Sequence, residues 1–109
     1  MKEILNKQDF ENILKEGKPV MLDFYADWCG PCQALLPRVE KLADQYQDDV
    51  IIAKVNVDKN RELSAHFGVR SIPALFFIRD NKVVDQALGL QSQSALVNKI
   101  EALKVPVNA

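Results

Sequence analysis

Val20-Met21-Leu22-Asp23-Phe24-Tyr25-Ala26-Asp27-Trp28-Cys29-Gly30-Pro31-Cys32 decides the fold of this chain. Val20 to Tyr25 is apolar but for one charge, and Gly17 and Pro19 punctuate its start, so it reads as a buried strand. Beyond Cys32 the pattern turns helical. Leu35, Leu36, Val39, Leu42, Ala43 and Tyr46 fall on one stripe. Pro37 interrupts that stripe. Its missing N–H leaves the carbonyl of Gln33 without a helix partner, which predicts a bend. Cys29 therefore stands where a strand ends and a long helix begins.

Working outward, Val50 to Val57 repeats the logic of a buried strand with one interior charge, Lys54. Ala74-Leu75-Phe76-Phe77-Ile78 predicts a further strand, and Val83-Val84 with Ala87-Leu88 another. Asp80-Asn81 between them is a turn signal, so these two form an antiparallel hairpin. Ile4-Leu5 predicts a short edge strand. Phe10, Ile13 and Leu14 sit at helix spacing, and Glu62 to Phe67 predicts a short helix closed by Gly68. Ser92 is the expected N-cap of a last helix carrying Leu96, Val97, Ile100 and Leu103. Pro106 is expected to stop it. The order is β-α-β-α-β-α-β-β-α, an α/β chain with a mixed sheet and helices on both faces. Helical crossovers predict parallel strands, and only the hairpin is expected to be antiparallel.

The sequence has 109 residues, of which 48% are hydrophobic, enough for one domain with a real core. We expect that domain over residues 1–105 and a short tail over 106–109. Lys and Arg number 14 against 15 Asp and Glu, with no long run of either sign. Nothing in that balance suggests a nucleic-acid or anionic membrane partner. No segment approaches a membrane span. The N-terminus lacks the apolar run of a signal peptide, and a cytoplasmic location is expected. In that compartment, a cysteine pair this close in sequence is better explained by reactivity than by stability.

Unsatisfied amides and the helix dipole at the expected helix start favour a thiolate at Cys29. Gly30 and Pro31 permit the tight turn into the helix. Cys32, one turn in, is close enough for a disulfide and more shielded. That divides the roles: Cys29 attacks a target disulfide, and Cys32 resolves the mixed disulfide. A structural zinc would need further ligands, and His66 belongs to another helix. His66 reads as a surface or helix-end residue.

Asp23 is costly to bury in so apolar a strand, and burial raises its pKa. Beneath Cys32 it can accept that thiol's proton, directly or through water. Strand alternation toward solvent is the bland alternative. Lys54 holds the matching place in the next strand pattern, either near Asp23 or as an ordinary snorkelling lysine. Pro73 stands at a strand entry, where a cis bond is permitted. With a cis bond, the Ile72 backbone becomes an open edge for a substrate segment. Gly89 is read as a position where a side chain would crowd a nearby surface. Trp28, with Gly30 and Pro31, supplies an apolar docking face.

The chain closely resembles the thioredoxin family over nearly all its length. The signals are Asp23 to Cys32, Pro37, Ala53-Lys54-Val55-Asn56-Val57-Asp58 and Gly68-Val69-Arg70-Ser71-Ile72-Pro73. The resemblance implies protein-disulfide reduction, with Cys29 as nucleophile, Cys32 as resolving thiol, Asp23 as proton acceptor and Lys54 as its neighbour. It implies a cis Pro73 beside the disulfide, and Trp28, Ile72 and Gly89 on the docking surface. It implies a five-stranded sheet in the order 1-3-2-4-5. It further implies a chain that binds no cofactor and is recycled by a thioredoxin reductase drawing on NADPH. Its other partners would be disulfide-containing proteins, and we expect a monomer. Gln33, Ser71, Tyr25 and Asn81 depart from common family choices without removing a catalytic group. The competing readings are a thiol-independent binding or accessory-subunit module, and a disulfide oxidase or isomerase. Gly30-Pro31 argues against the latter by resemblance.

Overall fold

A strand whose every residue is apolar or must be hidden belongs in the middle of a sheet, and Val20–Tyr25 lies there. The computed structural model describes residues 1–105. The elements are β1 (Lys2–Ile4), α1 (Lys7–Lys15), β2 (Val20–Tyr25), α2 (Gly30–Gln45), β3 (Ile51–Asn56), α3 (Arg61–His66), β4 (Ala74–Arg79), β5 (Lys82–Leu88) and α4 (Gln93–Lys104). The sheet order is β1-β3-β2-β4-β5. All six residues of β2 are buried. The expected tail at 106–109, with Pro106, lies outside the described residues.

Side chains alternate across β2, so it feeds two cores. Val20, Leu22 and Phe24 join Phe10 and Ile13 of α1 and Leu63 of α3. Met21 points the other way, into the core formed with Leu35, Val39 and Leu42 of α2 and Leu96, Ile100 and Leu103 of α4. Helices therefore cover both faces, as expected. The stripe that predicted α2 is its buried face, with Leu36 half-buried at its margin. The helix runs through Pro37 without a break in its span.

Local signals fixed several boundaries. The Asn6 side chain caps α1 by accepting the Asp9 amide at 2.9 Å. Ser92 caps α4 as predicted, accepting the Ala95 amide at 3.1 Å. Asp80 and Asn81 both have positive φ, 52° and 64°, the backbone a two-residue hairpin requires. Gly68 closes α3 at φ 67°.

Two expectations need correction. β1 ends at Ile4 rather than including Leu5, because the Leu5 amide turns to donate to the Asp9 carboxylate at the start of α1. The crossover rule also fails once. β1 and β2 each run parallel to β3, but β4, which follows α3, runs antiparallel to β2. A helical connection between two strands makes them parallel only when it returns the chain to the same end of the sheet. The α3 segment is short and delivers β4 from the end at which β3 finishes.

Candidate active site

The C-terminal ends of β2 and β3 and the start of α2 meet at the cysteines. Cys29 is the N-cap residue of α2 and has extended backbone geometry. Its sulfur accepts the Cys32 amide at 3.2 Å, satisfying one of the free N–H groups of the first turn. That contact and the helix N-terminus both favour negative charge on the Cys29 sulfur when the thiol is free. Cys29 and Cys32 form a disulfide with a Cα–Cα distance of 5.2 Å. Both are buried, Cys29 at 4% and Cys32 at 2% exposure, so shielding separates them little. What distinguishes them is position: Cys29 caps the helix and Cys32 lies within it.

Tyr25, Ala26, Cys29 and Cys32 form one buried cluster, with Val57 and Ile72 packed against it. The Ile72–Pro73 bond is cis. The Ile72 carbonyl oxygen lies 3.9 Å from Cys29 Sγ. Pro73 accepts the Gly89 amide at 2.9 Å through its carbonyl, bringing the end of β5 to the same place. A Cβ placed on Gly89 would meet nothing within 4 Å among the described residues, so they do not supply the crowding expected there. The position favours glycine because its φ is 78°, a left-handed conformation that disfavours side chains.

Asp23 is 1% exposed, on the α2 side of β2, and the solvent-facing alternative is excluded. Among the described residues, neither of its carboxylate oxygens has a hydrogen-bond partner. Burial pushes its pKa up to about 7, partly opposed by the positive charge of Lys54. Lys54 is its register partner on β3. Yet none of the ion pairs among the described residues joins the two. The Lys54 ammonium instead lies 5.6 Å from the centre of the Tyr25 ring. The Tyr25 hydroxyl donates to Glu3 at 3.3 Å.

Trp28 is 72% exposed, too open for a core role. Its indole N–H donates to Asp58 at 2.8 Å, which fixes the ring beside the cysteines. Asp58 is held in turn by its own amide, donating to the Asn56 side chain at 2.9 Å. Asp58 was part of a recognised motif but carried no assigned role in the sequence. The Asn-Val-Asp run at the end of a strand is the available signal, since such residues bond to local backbone. Gly30 and Pro31 are exposed at the rim, and His66 is exposed in the last turn of α3.

The family model for thioredoxin matches residues 1–102. The chain belongs to the thioredoxin family. A thioredoxin from Chlorobaculum thiosulfatiphilum is 43% identical over 99 residues, covering 91% of this chain and 92% of that relative. One from Haemophilus influenzae is 42% identical over 103 residues, covering 92% and 96%. Among solved structures, a mutant thioredoxin from Halobacterium salinarum superposes with a TM-score of 0.89 at 39% identity, covering 97% of this chain and 92% of that one. Thioredoxin from Fasciola hepatica gives 0.86 at 36% identity, covering 94% and 98%. This thioredoxin-family chain is a thiol–disulfide oxidoreductase of the protein-disulfide reductase kind, and Cys29–Cys32 is its redox pair.

Proposed function

We propose that Cys29 is the attacking thiol and Cys32 the resolving one, and the Cys29 N-cap position carries this assignment. The reduced Cys29 thiolate attacks one sulfur of a target disulfide, and the other target sulfur leaves as a thiolate. Cys32 gives its proton to Asp23, whose pKa of about 7 suits an acceptor at neutral pH. The Cys32 thiolate then attacks Cys29 Sγ and expels the second target sulfur. Two electrons pass from the cysteine pair to the target, leaving a reduced target and the Cys29–Cys32 disulfide. Lys54 keeps a positive charge near Asp23 without neutralising it.

The docking surface in this reading is Trp28, Gly30, Pro31, Ile72, Pro73 and Gly89. An extended target segment pairs with the Ile72 backbone beside Cys29, in the manner of strand addition. The oxidised pair is returned to the dithiol by a separate thioredoxin reductase drawing on NADPH, and the chain itself holds no cofactor. No helix among the described residues is long and apolar enough to cross a membrane. We assign the protein to the cytoplasm, as a monomer, where a reducing glutathione pool suits a reductant.

Brief alkylation of the reduced protein at neutral pH, followed by peptide mapping, tests the division of roles. Cys29 is expected to carry the adduct, and preferential labelling of Cys32 would reverse the assignment. Cys32→Ser is expected to trap target proteins as stable mixed disulfides through Cys29. The dithiol potential tests direction. A value of about −270 mV suits a reductant, whereas about −120 to −180 mV belongs to oxidases and isomerases.

A further inference from the structure

The loop that follows β5 is tied down at both ends, and the second tie comes from a residue outside the cysteine site. At one end the Gly89 amide donates to Pro73. At the other, the Arg38 guanidinium donates to the Gln91 carbonyl at 2.5 Å, across a sequence gap of 53 residues. Between the ties, the Gln91 side-chain amide donates to the carbonyls of Leu88 at 2.9 Å and Gly89 at 3.3 Å. The chain of contacts closes on itself. It runs from Cys29 to Ile72, from Pro73 to Gly89, through Gln91 to Arg38, and Arg38 lies on the helix that Cys29 caps.

Each link has a physical cost that the arrangement meets. Arg38 is half-buried, so its guanidinium must find acceptors. A charged donor to a backbone carbonyl is stronger than a neutral one. Leu88, the last residue of β5, is 61% exposed and Leu90 in the loop is 49% exposed, on either side of Gly89. Two large apolar side chains held open on either side of a glycine tied to Pro73 suit an apolar stretch of extended polypeptide. Holding them in place beforehand removes ordering cost from docking.

We propose that Arg38 is a positioning residue for polypeptide substrates: through Gln91 it clamps the segment Leu88-Gly89-Leu90, at the end of β5, in the docking conformation. This rests on the docking reading given above. The clamp acts on binding of a polypeptide and not on thiol exchange.

The test compares Arg38→Met, Arg38→Lys and Gln91→Ala with the unaltered chain, on insulin and on oxidised glutathione. Glu40→Gln, an exposed change on the same helix, is the bystander control. Arg38→Met is expected to raise KM for insulin three- to tenfold, with kcat and the glutathione rate within twofold. Gln91→Ala should give the same split, and Arg38→Lys should restore part of the loss. Hydrogen exchange at the Gly89 amide should accelerate at least tenfold in Arg38→Met and stay constant in Glu40→Gln. Equal losses on both substrates would overturn the proposal, since Arg38 would then merely support the helix. Unchanged insulin KM with unchanged Gly89 exchange would overturn it as well. The exchange measurement needs no substrate, so it judges the clamp even where the assignment of Cys29 as attacking thiol fails.

Discussion

The two faces of β2 hide the same strand from water by opposite means. On one face, Val20, Leu22 and Phe24 enter a core that is apolar throughout. Phe24 meets Phe67 and Phe76 at ring-centroid distances of 5.4 Å each, and Phe67 also meets Phe10 at 5.5 Å. On the other face, Met21 packs against α2 and α4, but the next residue on that side is Asp23, buried and without a hydrogen-bond partner among the described residues. Lys54 stands beside it in register. The apolar side chains of the first face bury surface, and that burial favours folding. The second gives up stability at one position, Asp23, the residue we propose as proton acceptor for Cys32. A single strand can do both because alternate residues never share an environment.

Phe24→Ala should show the largest effect, since it breaks the apolar face. Truncating a fully buried aromatic typically costs about 3–5 kcal/mol. The loss should appear as a lower denaturation midpoint with little change in slope. Below that midpoint, the rate of Cys29 alkylation should stay near that of the unaltered chain. A large change in alkylation rate would mean that the two faces are coupled and the contrast between them fails.

Asp23→Asn should act in the opposite direction. The folded pKa of Asp23, about 7, lies above its ordinary value of 3.8. Folding therefore favours the protonated form. The contribution is fully present below the unfolded pKa and is lost as pH rises through the folded one. The amide cannot ionise, so the variant should match the unaltered oxidised protein near pH 3. It should exceed it by about 4 kcal/mol near pH 8. Denaturation of the oxidised protein across pH measures this. The same variant should slow release of the mixed disulfide, by about 10²-fold if Asp23 acts as a positioned base. A stability gain without slower release would leave Asp23 as a buried cost with no part in the proton transfer.

How much of this contrast was legible beforehand follows from range. β2 and α2 were readable because each is encoded by its own period, and the turn at Asp80-Asn81 by its own backbone preference. The burial of Asp23 was readable because its neighbours are all apolar. What sequence concealed depends on groups far apart in the chain. The direction of β4 is set by where α3 delivers it, which a rule about crossovers does not contain. The Trp28–Asp58 and Arg38–Gln91 contacts join residues 30 and 53 positions apart, and no local pattern pairs one partner with the other. Gly89 stands out in the sequence without revealing its reason. A glycine tells of an unusual backbone or of a close approach, and only coordinates separate the two.

Lys54→Met should have the smallest effect and sharpens the contrast most. The positive charge of Lys54 lowers the Asp23 pKa against burial. Its ammonium lies over the Tyr25 ring rather than on the carboxylate, so the attraction acts without direct pairing. Methionine keeps an unbranched side chain of similar reach and removes the charge. The second face then becomes more like the first, and the ionised form of Asp23 loses its support. The pKa should rise above about 7. The window over which the oxidised protein loses stability should extend to higher pH with it. The carboxyl carbon shift of Asp23, followed by NMR across pH, reads the pKa directly. Single-turnover release of a mixed disulfide reads its consequence: the rate at pH 7 should fall, and part of it should return at higher pH as Asp23 ionises. Asp23→Asn offers no such return through that carboxyl, which separates a shifted base from a missing one. A titration midpoint unchanged or lowered by Lys54→Met would mean that Lys54 does not act on Asp23 through its charge. The unpaired carboxylate would then be governed by burial alone, and the two faces would differ in the one residue Asp23.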